Sequence, residues 1–366
     1  MSDMTKNEKI AFCTTCMNRM SHLQQTLKKN IEDNYLPGQV EFVLLDYNSQ
    51  DGLGKWVYNH MKKYINEGIL VYYKTTEPTH YLRSHSRNMA FRLANATILC
   101  NLDADNFLGK GFADFMLQEF SKHYNIFYTN NYSFNDTFGR VSVRTGDFLS
   151  IRGYNEALKS YGYEDNDFLN RLALSGLKPM SFRNPEFYHF VKHSNIDRVS
   201  DEYMAKNMYK MYIAYINPYT SKILLLYKDY TVEQYTMVAN WHLYAFDNAI
   251  YSSIYNSYLN EKIRTVIEDD ILKGTWSIDN DKIIIQENGA GYCVEKEALT
   301  IDLEGNIFYK IENLDLIAKI LVLLTSSINF NEVYKQVKNN LAVNPYGFGK
   351  GMVIKNFDLS NKITLT

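Results

Sequence analysis

The sequence lacks the features that mark secreted, membrane-spanning and nucleic-acid-binding proteins. It contains no run of 18 apolar residues, and its strongest run, Leu316–Leu324, is interrupted by Lys319 and is too short to span a bilayer. The first ten residues are polar and lack the apolar core of a signal peptide. The net charge of −2 gives no electrostatic reason to expect nucleic acid as a partner.

Cysteine is also scarce, with four residues in a chain of 366. So few thiols, without a signal peptide, predict reduced cysteines and a cytoplasmic location. Cys13 and Cys16 have the spacing of a zinc or redox pair, but no second cysteine pair accompanies them. We therefore expect two small buried residues at the end of a strand rather than a metal or redox centre.

The composition is that of a folded protein, and the order of its apolar segments is that of an α/β sheet. Hydrophobic residues make up 46% and charged residues 22%, and the length allows two or three domains. Up to about residue 200, segments typical of strands alternate with amphipathic helices, which indicates a mostly parallel sheet with right-handed crossovers. The predicted strands are Lys9–Thr14, Val40–Leu45, Ile69–Tyr73, Ile98–Leu102, Asn125–Thr129 and Val141–Arg144.

The pattern changes twice after residue 200. Asp201–Ile216 and Val232–Ile267 are rich in Tyr and Met and are predicted to be helical. The next elements are short strands at Trp276–Ile278, Lys282–Gln286, Gly291–Glu295 and Ala298–Leu303, then helices at Asn313–Leu324 and Asn331–Asn340. We therefore predict one domain at residues 1–200, a helical extension at 201–270 and a small α+β module at 271–366.

Two carboxylates follow the fourth predicted strand directly, in the segment Ile98-Leu-Cys-Asn-Leu-Asp-Ala-Asp-Asn106. In extended backbone the side chains of Asp103 and Asp105 point to the same face, roughly 6–7 Å apart. Such oxygen ligands suit Mg²⁺ or Mn²⁺, which often share them with substrate phosphates. Alternatively, the two acids cap the helix predicted near Phe112–His123.

Three other loops at strand ends offer groups that suit a nucleotide. Arg19 lies at a helix N-terminus, where it either holds phosphate or is a surface residue near the cap. Asp46 and Asp51 bound the loop after the second strand, where a carboxylate can accept from ribose hydroxyls or base N–H groups; alternatively, the polar residues between them cap the next helix. Arg87 opens the helix before the acid pair and faces either a diphosphate or an acid at the sheet end.

Taken together, these segments resemble the GT-A fold nucleotide-sugar glycosyltransferases of the family 2 type, over roughly residues 8–200. The motifs that carry the resemblance are Asp46-x-Asn-Ser-x-Asp51-Gly52, the helix with Arg87, and Asp103-x-Asp105. The resemblance implies a Rossmann-like, mixed but mostly parallel sheet flanked by helices.

This region, mainly in its second half, is also similar to β-1,4-galactosyltransferases and bacterial chondroitin-type polymerases. The similar segments are Asn18-Arg19-x-x-His22-Leu23, Gly146-Asp-Phe-Leu-Ser-Ile-Arg-Gly153-Tyr-Asn-Glu156, Tyr161-Gly-Tyr-Glu164-Asp165-Asn-Asp167-Phe168 and Phe190-Val-Lys-His193-Ser194. Tyr161 stands in place of a tryptophan and Tyr163 in place of a glycine, which affects donor and acceptor preference. Phe190 stands in place of a methionine, so only His193 carries over the metal role of its segment.

The resemblance implies metal-dependent, inverting transfer of a sugar from a UDP-sugar to an acceptor hydroxyl. It assigns Mn²⁺ or Mg²⁺ to Asp105 and His193, with Asp103 assisting, so that the cation neutralises the leaving diphosphate. The rival metal ligand is His189, for which a supporting or core position is the expectation.

The resemblance also assigns the groups that touch the two sugars. Asp165 matches the general base that deprotonates the acceptor hydroxyl, and Glu164 is expected to bind donor or acceptor hydroxyls. Arg19 and Arg87 are expected to stabilise the diphosphate, with Asp46, Asp51 and Asp103 completing the donor site. Alternatively, Glu164 and Asp165 are only a pair of acids favoured by a helix N-terminus.

We therefore interpret the sequence as a cytoplasmic hexosyl- or N-acetylhexosaminyltransferase of polysaccharide biosynthesis. The sequence does not decide whether the acceptor is a glycan, a lipid-linked saccharide or a peptide. It also does not decide whether the protein binds peripherally to a membrane. A sugar-phosphate nucleotidyltransferase is one alternative, but it needs a glycine-rich loop after the first strand, and Cys13–Arg19 contains no glycine. A non-catalytic nucleotide-sugar-binding subunit is the other.

Residues 271–366 carry no motif of this family. Their short strands followed by helices faintly resemble small peptide-binding domains of the PqqD type, which add a partner peptide to a strand edge. The alternative, which we favour, is a structural cap on the transferase domain. In either case we expect the module to be unnecessary for the chemical step.

Overall fold

The computed structural model describes residues 8–130, 137–216, 220–237, 266–279, 282–287, 290–295, 300–301 and 305–366. The chain forms two compact units. The first comprises Met1–Lys159, Glu164–Lys192 and Asn340–Thr366, and the second comprises Ser160–Tyr163 and His193–Asn339. This division differs from the predicted boundaries at 200 and 270, because residues 340–366 pair with the sheet of the first unit.

The secondary structure follows in chain order. The strands are β1 (Ile10–Cys16), β2 (Val40–Tyr47), β3 (Leu70–Thr75), β4 (Ile98–Asn101), β5 (Ile126–Thr129), β6 (Ser142–Arg144), β7 (Lys178–Ser181), β8 (Met208–Tyr215), β9 (Ser221–Tyr227), β10 (Thr231–Met237), β11 (Val266–Asp279), β12 (Lys282–Glu287), β13 (Ala290–Glu295), β14 (Thr300–Ile301), β15 (Ile307–Lys310), β16 (Gly351–Lys355) and β17 (Asp358–Leu365). The helices are α1 (Met20–Asn34), α2 (Leu53–His60), α3 (Lys62–Asn66), α4 (Arg83–Leu93), α5 (Phe112–Lys122), α6 (Thr145–Ser150), α7 (Glu164–Leu174), α8 (Asn195–Val199), α9 (Tyr203–Asn207) and α10 (Leu314–Lys338).

A sheet in the order β17-β16-β3-β2-β1-β4-β6-β5-β7 forms the framework of the first unit. Strands β3, β2, β1 and β4 at its centre are parallel, whereas β16 and β6 join them antiparallel on either side. The predicted α/β fold, a mixed sheet flanked by helices, is confirmed. The parallel centre brings the loops after β1, β2 and β4 to one edge of the sheet, where ligands of such folds bind.

Helices cover both faces of this sheet, as the continuous apolar strands require. Every residue of β1 is buried, and its side chains alternate between two cores. Ile10 and Phe12 pack in the core that includes the buried residues of α1 and α5. Ala11 and Cys13 pack in the opposite core, which includes buried residues of α4 and α7. Cys13 and Cys16 are buried free thiols, as predicted.

The described strands of the second unit close into a barrel in the order β10-β11-β12-β13-β14-β15-β8-β9. The helices predicted for Asp201–Ile216 and Val232–Ile267 are wrong over most of their described residues, because β8, β10 and the start of β11 occupy them; only α9 at Tyr203–Asn207 is helical there. The Tyr, Ile and Thr residues of these strands favour pleated backbone, and tertiary pairing outweighed the helix-forming Met residues. Residues 238–265 lie outside the described residues. The short strands predicted from Trp276 to Glu295 are confirmed.

One continuous helix, α10, replaces the two helices predicted near the end of this module. The segment between them contains neither Gly nor Pro, and Thr325 keeps its side chain within the helix by donating to the carbonyl of Leu321 at 2.8 Å. Asn329 donates to the carbonyls of Ser160 and Gly162 at 2.8 and 2.7 Å, which attaches residues 160–163 to the second unit.

The helix α10 is long and apolar enough to cross a membrane by length and composition, but half of its apolar window is buried. Ile317, Leu321 and Leu324 pack with buried residues of β8 and β9, as in the core helix of a folded domain. The closed strand order also leaves no free strand edge among the described strands of the barrel. The barrel therefore gives no support to the predicted addition of a partner peptide, which stays a prediction for residues 271–366.

Candidate functional site

One buried arginine gathers three of the predicted site residues. Arg87 lies on α4 and only 4% of its side chain is exposed. Its guanidinium donates to Asp165 Oδ1 at 2.7 Å, to Asp103 Oδ1 at 3.3 Å and to Glu164 Oε1 at 3.4 Å. The two family segments that the sequence predicted separately therefore meet at a single cation, and we name these four residues the Arg87 cluster.

The electrostatics of the Arg87 cluster follow from burial and from the excess of carboxylates. Burial raises the pKa of Asp165 to about 7; the charges of Glu164 and Asp103 add to the rise, and Arg87 opposes it. Burial alone would lower the pKa of Arg87, but the surrounding carboxylates hold it well above its ordinary value. Asp165 is therefore close to the ionisation that suits a general base at neutral pH.

A glycine forms the wall of this cluster. Asn101, the last residue of β4, donates to Asp103 Oδ1 at 3.0 Å and to the carbonyl of Gly139 at 2.8 Å. A Cβ added to Gly139 would lie 2.9 Å from Asp103 Oδ2, 3.0 Å from Arg87 Nη2 and 3.3 Å from Asp165 Oδ2. Only glycine fits this position without moving the charged groups. No motif in the sequence identifies Gly139, and its place just before a predicted strand is the one sequence signal that points to it.

Asp105, the second acid of the pair, accepts hydrogen bonds through both its backbone and its side chain. The Asp105 carbonyl accepts from the N–H of Val191 at 2.7 Å, and its Oδ1 accepts from Asn106 Nδ2 at 3.0 Å. The helix α5 begins after Gly111 and has no side-chain cap. The alternative that the acid pair caps this helix is therefore wrong.

Arg140 fixes the loop that carries the acid pair, although no motif in the sequence identifies it. This side chain is fully buried and donates to Asn106 Oδ1 at 3.0 Å, to the Phe107 carbonyl at 2.8 Å and to the Phe187 carbonyl. Burial lowers the pKa of Arg140 to about 10. An arginine next to an apolar strand is the signal that could have found it, because a buried guanidinium needs several acceptors.

The donor set of the acid pair fits a hard divalent cation. Asp103 is one-third exposed and Asp105 is half-buried, so carboxylate oxygens remain near the surface of the loop. Among the described residues no group of three or more His, Cys, Asp or Glu is arranged to hold a metal ion. In Mg²⁺-type sites, one or two carboxylates bind the ion together with substrate phosphates.

The two histidine candidates lie in different units. His193 belongs to the second unit, where its Nδ1 lies 3.1 Å from the Ser194 carbonyl oxygen. His189 belongs to the first unit, where its Nε2 lies 3.6 Å from Glu186 Oε2 and its carbonyl accepts from the N–H of Phe107 at 2.9 Å. The choice of His193 as a metal ligand stays a prediction.

Asp46, near the carboxyl end of β2, is fully buried. Its Oδ1 accepts from the N–H of Ser49 at 2.8 Å, and its Oδ2 accepts from the Tyr72 hydroxyl at 2.7 Å and lies 3.4 Å from Lys74 Nζ. Both carboxylate oxygens therefore have partners within the protein. Direct contact between Asp46 and a nucleotide stays a prediction; the contacts described support the loop after β2.

Asp51 and Arg19 lie where two helices begin. The Asp51 carboxylate accepts from the N–H of Met20 at 2.7 Å and from the N–H of Leu53 at 3.1 Å, so it joins the starts of α1 and α2. Arg19 is the N-cap residue of α1 and makes no side-chain cap bond. The predicted phosphate-binding role of Arg19 is compatible with this place, because a helix N-terminus favours anions.

One known family matches the part of the chain that carries Glu164 and Asp165. Residues 121–194 match a family model described as the N-terminal domain of galactosyltransferase. The match includes Glu164, Asp165 and His193, and it confirms the predicted resemblance to galactosyltransferases. No curated protein matches the sequence.

Solved structures with partial similarity are also glycosyltransferases. S. aureus TarS 1–349 is 16% identical with a TM-score of 0.43, over 50% of this chain and 60% of that one. The mannosyltransferase PcManGT from Pyrobaculum calidifontis, solved with GDP-Man and Mn²⁺, is 14% identical with a TM-score of 0.42, over 50% and 57%. The catalytic domain of Drosophila β1,4-galactosyltransferase 7, solved with xylobiose, is 15% identical with a TM-score of 0.38, over 53% and 74%.

This chain thus spans less than two-thirds of the length of the first two of these proteins. The family match over residues 121–194 and the sheet described above do not depend on these structural similarities. Together with the mixed, mostly parallel sheet, this match agrees with the predicted resemblance to glycosyltransferases.

Proposed function

We propose that this protein is a metal-dependent, inverting glycosyltransferase that moves a sugar from a UDP-sugar to an acceptor hydroxyl. The observation that carries the proposal is the Arg87 cluster, in which Asp165 and Asp103 share one guanidinium. Sugar transfer needs a base on the acceptor side and charge neutralisation on the leaving-group side of the same anomeric carbon. The cluster brings one candidate for each task together.

In this proposal Asp165 accepts the proton of the acceptor hydroxyl while the hydroxyl oxygen forms a bond to the anomeric carbon. The bond between that carbon and the diphosphate oxygen breaks on the opposite face, so the configuration inverts and UDP leaves. A bound Mn²⁺ or Mg²⁺ ion supplies charge neutralisation for the diphosphate. Asp103 and Asp105 would hold that ion.

We assign supporting roles to Arg87 and Glu164, the neighbours of the proposed base Asp165. Arg87 is buried and already paired with carboxylates, so we assign it to holding Asp165 in place rather than to direct contact with the diphosphate. Glu164 uses Oε1 for Arg87, whereas its buried Oε2 has no hydrogen-bond partner in the described part of the chain. A sugar hydroxyl would satisfy this oxygen, since an unpaired buried acceptor costs about 1–3 kcal/mol.

The donor side is assigned to the loops after β1 and β2. Arg19, at the start of α1, is the remaining cation for the diphosphate, and Asp51 fixes the N-terminus on which Arg19 lies. Asp46 supports the floor of the donor site through Tyr72 and Ser49. The transferred sugar is a hexosyl or N-acetylhexosaminyl group, the acceptor is a glycan, lipid-linked saccharide or peptide, and the location is cytoplasmic.

The test compares Asp165→Asn with Asp167→Asn, a matched variant on the same helix whose carboxylate pairs with Arg171 instead. We expect Asp165→Asn to keep Mn²⁺-dependent UDP binding and to lose transfer by about 10²–10⁴-fold, the usual range for a general base. Asp167→Asn should keep transfer. The measurements are UDP affinity by calorimetry and UDP release from a panel of UDP-sugars.

Three outcomes would contradict the proposal. Transfer at the wild-type rate in Asp165→Asn would leave that residue as only an acid at a helix N-terminus. UDP binding by the wild type without transfer to any acceptor would favour a non-catalytic binding subunit. Pyrophosphate release from UTP and a sugar phosphate would favour a nucleotidyltransferase.

A further inference from the structure

Residues 344–350 form hydrogen bonds to the turn 152–156, which packs against the Arg87 cluster. Asn344 has a left-handed φ of 48° and is only 8% exposed. Its Nδ2 donates to the carbonyls of Arg152 and Tyr154, both at 2.7 Å, and its Oδ1 accepts from the N–H of Glu156 at 3.0 Å. The Arg152 guanidinium donates in return to the Asn344 carbonyl, through Nε at 3.2 Å. We name residues 344–350 the clasp.

The clasp also holds the helix that carries Arg87. Glu156 Oε1 accepts from the N–H of Gly349 at 2.6 Å and from Asn88 Nδ2 at 2.8 Å, so one carboxylate joins the clasp to α4. Arg92, one turn further along α4, donates to the carbonyl of Phe348 at 2.6 Å. A Cβ on Gly349 would lie 2.8 Å from the Asn88 carbonyl carbon, so the clasp approaches α4 as closely as backbone allows.

The turn that Asn344 grips touches the cluster directly. Tyr154 is fully buried, and the Cζ of Arg87 lies 5.4 Å from the centre of its ring. The Tyr154 ring also stacks on Phe168, with ring centres 4.0 Å apart. Phe168 lies on α7, three residues after Asp165. A shift of the turn would therefore move both Arg87 and the helix that carries Asp165.

We propose that Asn344 is a positioning residue for sugar transfer. By holding the turn 152–156 in place, it keeps Arg87 and Asp165 at the correct distance and orientation. This inference rests on the proposed function of Asp165. Asn344 does not touch the cluster and lies outside the segment that matches the galactosyltransferase model. Its three side-chain bonds all go to one turn, and that turn packs against both Arg87 and α7.

The test uses Asn344→Ala, which removes all three side-chain bonds, with Asn361→Ala, an exposed asparagine of β17, as the matched control. We expect kcat to fall on the order of 10- to 100-fold in Asn344→Ala, because sub-ångström misplacement of catalytic groups has this effect. The donor KM should stay within about twofold, and Asn361→Ala should match the wild type. Assays well below the unfolding temperature separate positioning from simple loss of stability.

A second readout does not depend on activity. Amide hydrogen exchange in the first turn of α7 should accelerate in Asn344→Ala and not in Asn361→Ala. If the alanine variant does not fold, Asn344→Asp keeps the side-chain size and the Oδ1 acceptor while removing both N–H donors, and the same two changes are expected. Wild-type kcat together with unchanged exchange in a folded variant would overturn the inference. An inactive wild type would instead overturn the proposed function, and the exchange result would still decide on positioning.

Discussion

Replacing Gly139 with alanine is expected to disturb the Arg87 cluster while leaving the backbone unstrained. The φ of Gly139 lies outside the left-handed region, so alanine meets no conformational penalty there. The new methyl would lie 2.9 Å from Asp103 Oδ2 and 3.0 Å from Arg87 Nη2. Ordinary contact begins near about 3.5 Å, so these groups must move by roughly 0.5 Å.

The size of the effect follows from this displacement. Overpacking of this kind costs about 1–3 kcal/mol of folding stability. A misplacement of about 1 Å in an active site can cost about 10²-fold in rate, so a shift of half that size predicts a loss of roughly tenfold or more. The assay is kcat for transfer from the UDP-sugar, with thermal unfolding followed in parallel.

Gly146 is the matched control. A Cβ added there meets no atom within 4 Å, and the residue lies within α6. Alanine should therefore stabilise the helix by up to about 1 kcal/mol and leave kcat unchanged. If Gly139→Ala retained the wild-type kcat and unfolding temperature, the packing of the Arg87 cluster would not matter for transfer and the reasoning would fail.

Two further predictions concern ionisation and metal binding. The pKa of Asp165 is raised to about 7 and the base must be ionised, so the rate of transfer should rise with pH and level off above about pH 7. Below that pH the rate should fall about tenfold per pH unit. A pH-rate profile that is flat between pH 5 and 8 would refute this. Asp105→Ala should abolish metal-dependent UDP binding, because the cation loses its main protein oxygen; unchanged Mn²⁺-dependent UDP affinity by calorimetry would contradict the assignment.

The sheet of the first unit was predictable because its central strands are buried on both faces. Such strands must be continuous apolar runs, and Val40–Leu45 and Ile98–Leu102 are read directly from the sequence. The sheet edge that carries the site follows from the parallel order of these strands. Asp103 and Asp165 were identified by their motifs, but their shared partner was not, because pairing with Arg87 depends on how separate elements pack.

The features that the sequence did not reveal all depend on contacts between distant segments. Gly139 and Arg140 matter because of what lies opposite them in space, and neither belongs to a short motif. The strands β8 and β10 were predicted as helices because Met and Tyr occur in both structures, and pairing of each strand with β9 decided the outcome. The pairing of β16 with β3 joins segments that no local pattern connects.

This last pairing changes what is expected of the residues that follow the second unit. Ile354 pairs with Lys74, and Val353 is fully buried in a core of the first unit. Phe357 stacks on Tyr72 with ring centres 4.4 Å apart, and the Tyr72 hydroxyl supports Asp46. We therefore expect deletion of residues 340–366 to damage the first unit itself, although the sequence predicted everything after about residue 270 to be unnecessary for the chemical step.

Burial of Val353 alone stabilises the fold by about 1.5–3 kcal/mol, and the lost hydrogen bonds of the clasp add to this. A loss of about 3 kcal/mol should lower the unfolding temperature by roughly 6–12 °C and weaken UDP binding through Tyr72 and Asp46. A truncation after Phe357 is the control, because it removes β17, whose residues are mostly exposed, and keeps the clasp and Phe357. If deletion of residues 340–366 left both the unfolding temperature and the UDP affinity at wild-type values, this segment would be a dispensable accessory, and the positioning role proposed for Asn344 would fail with it.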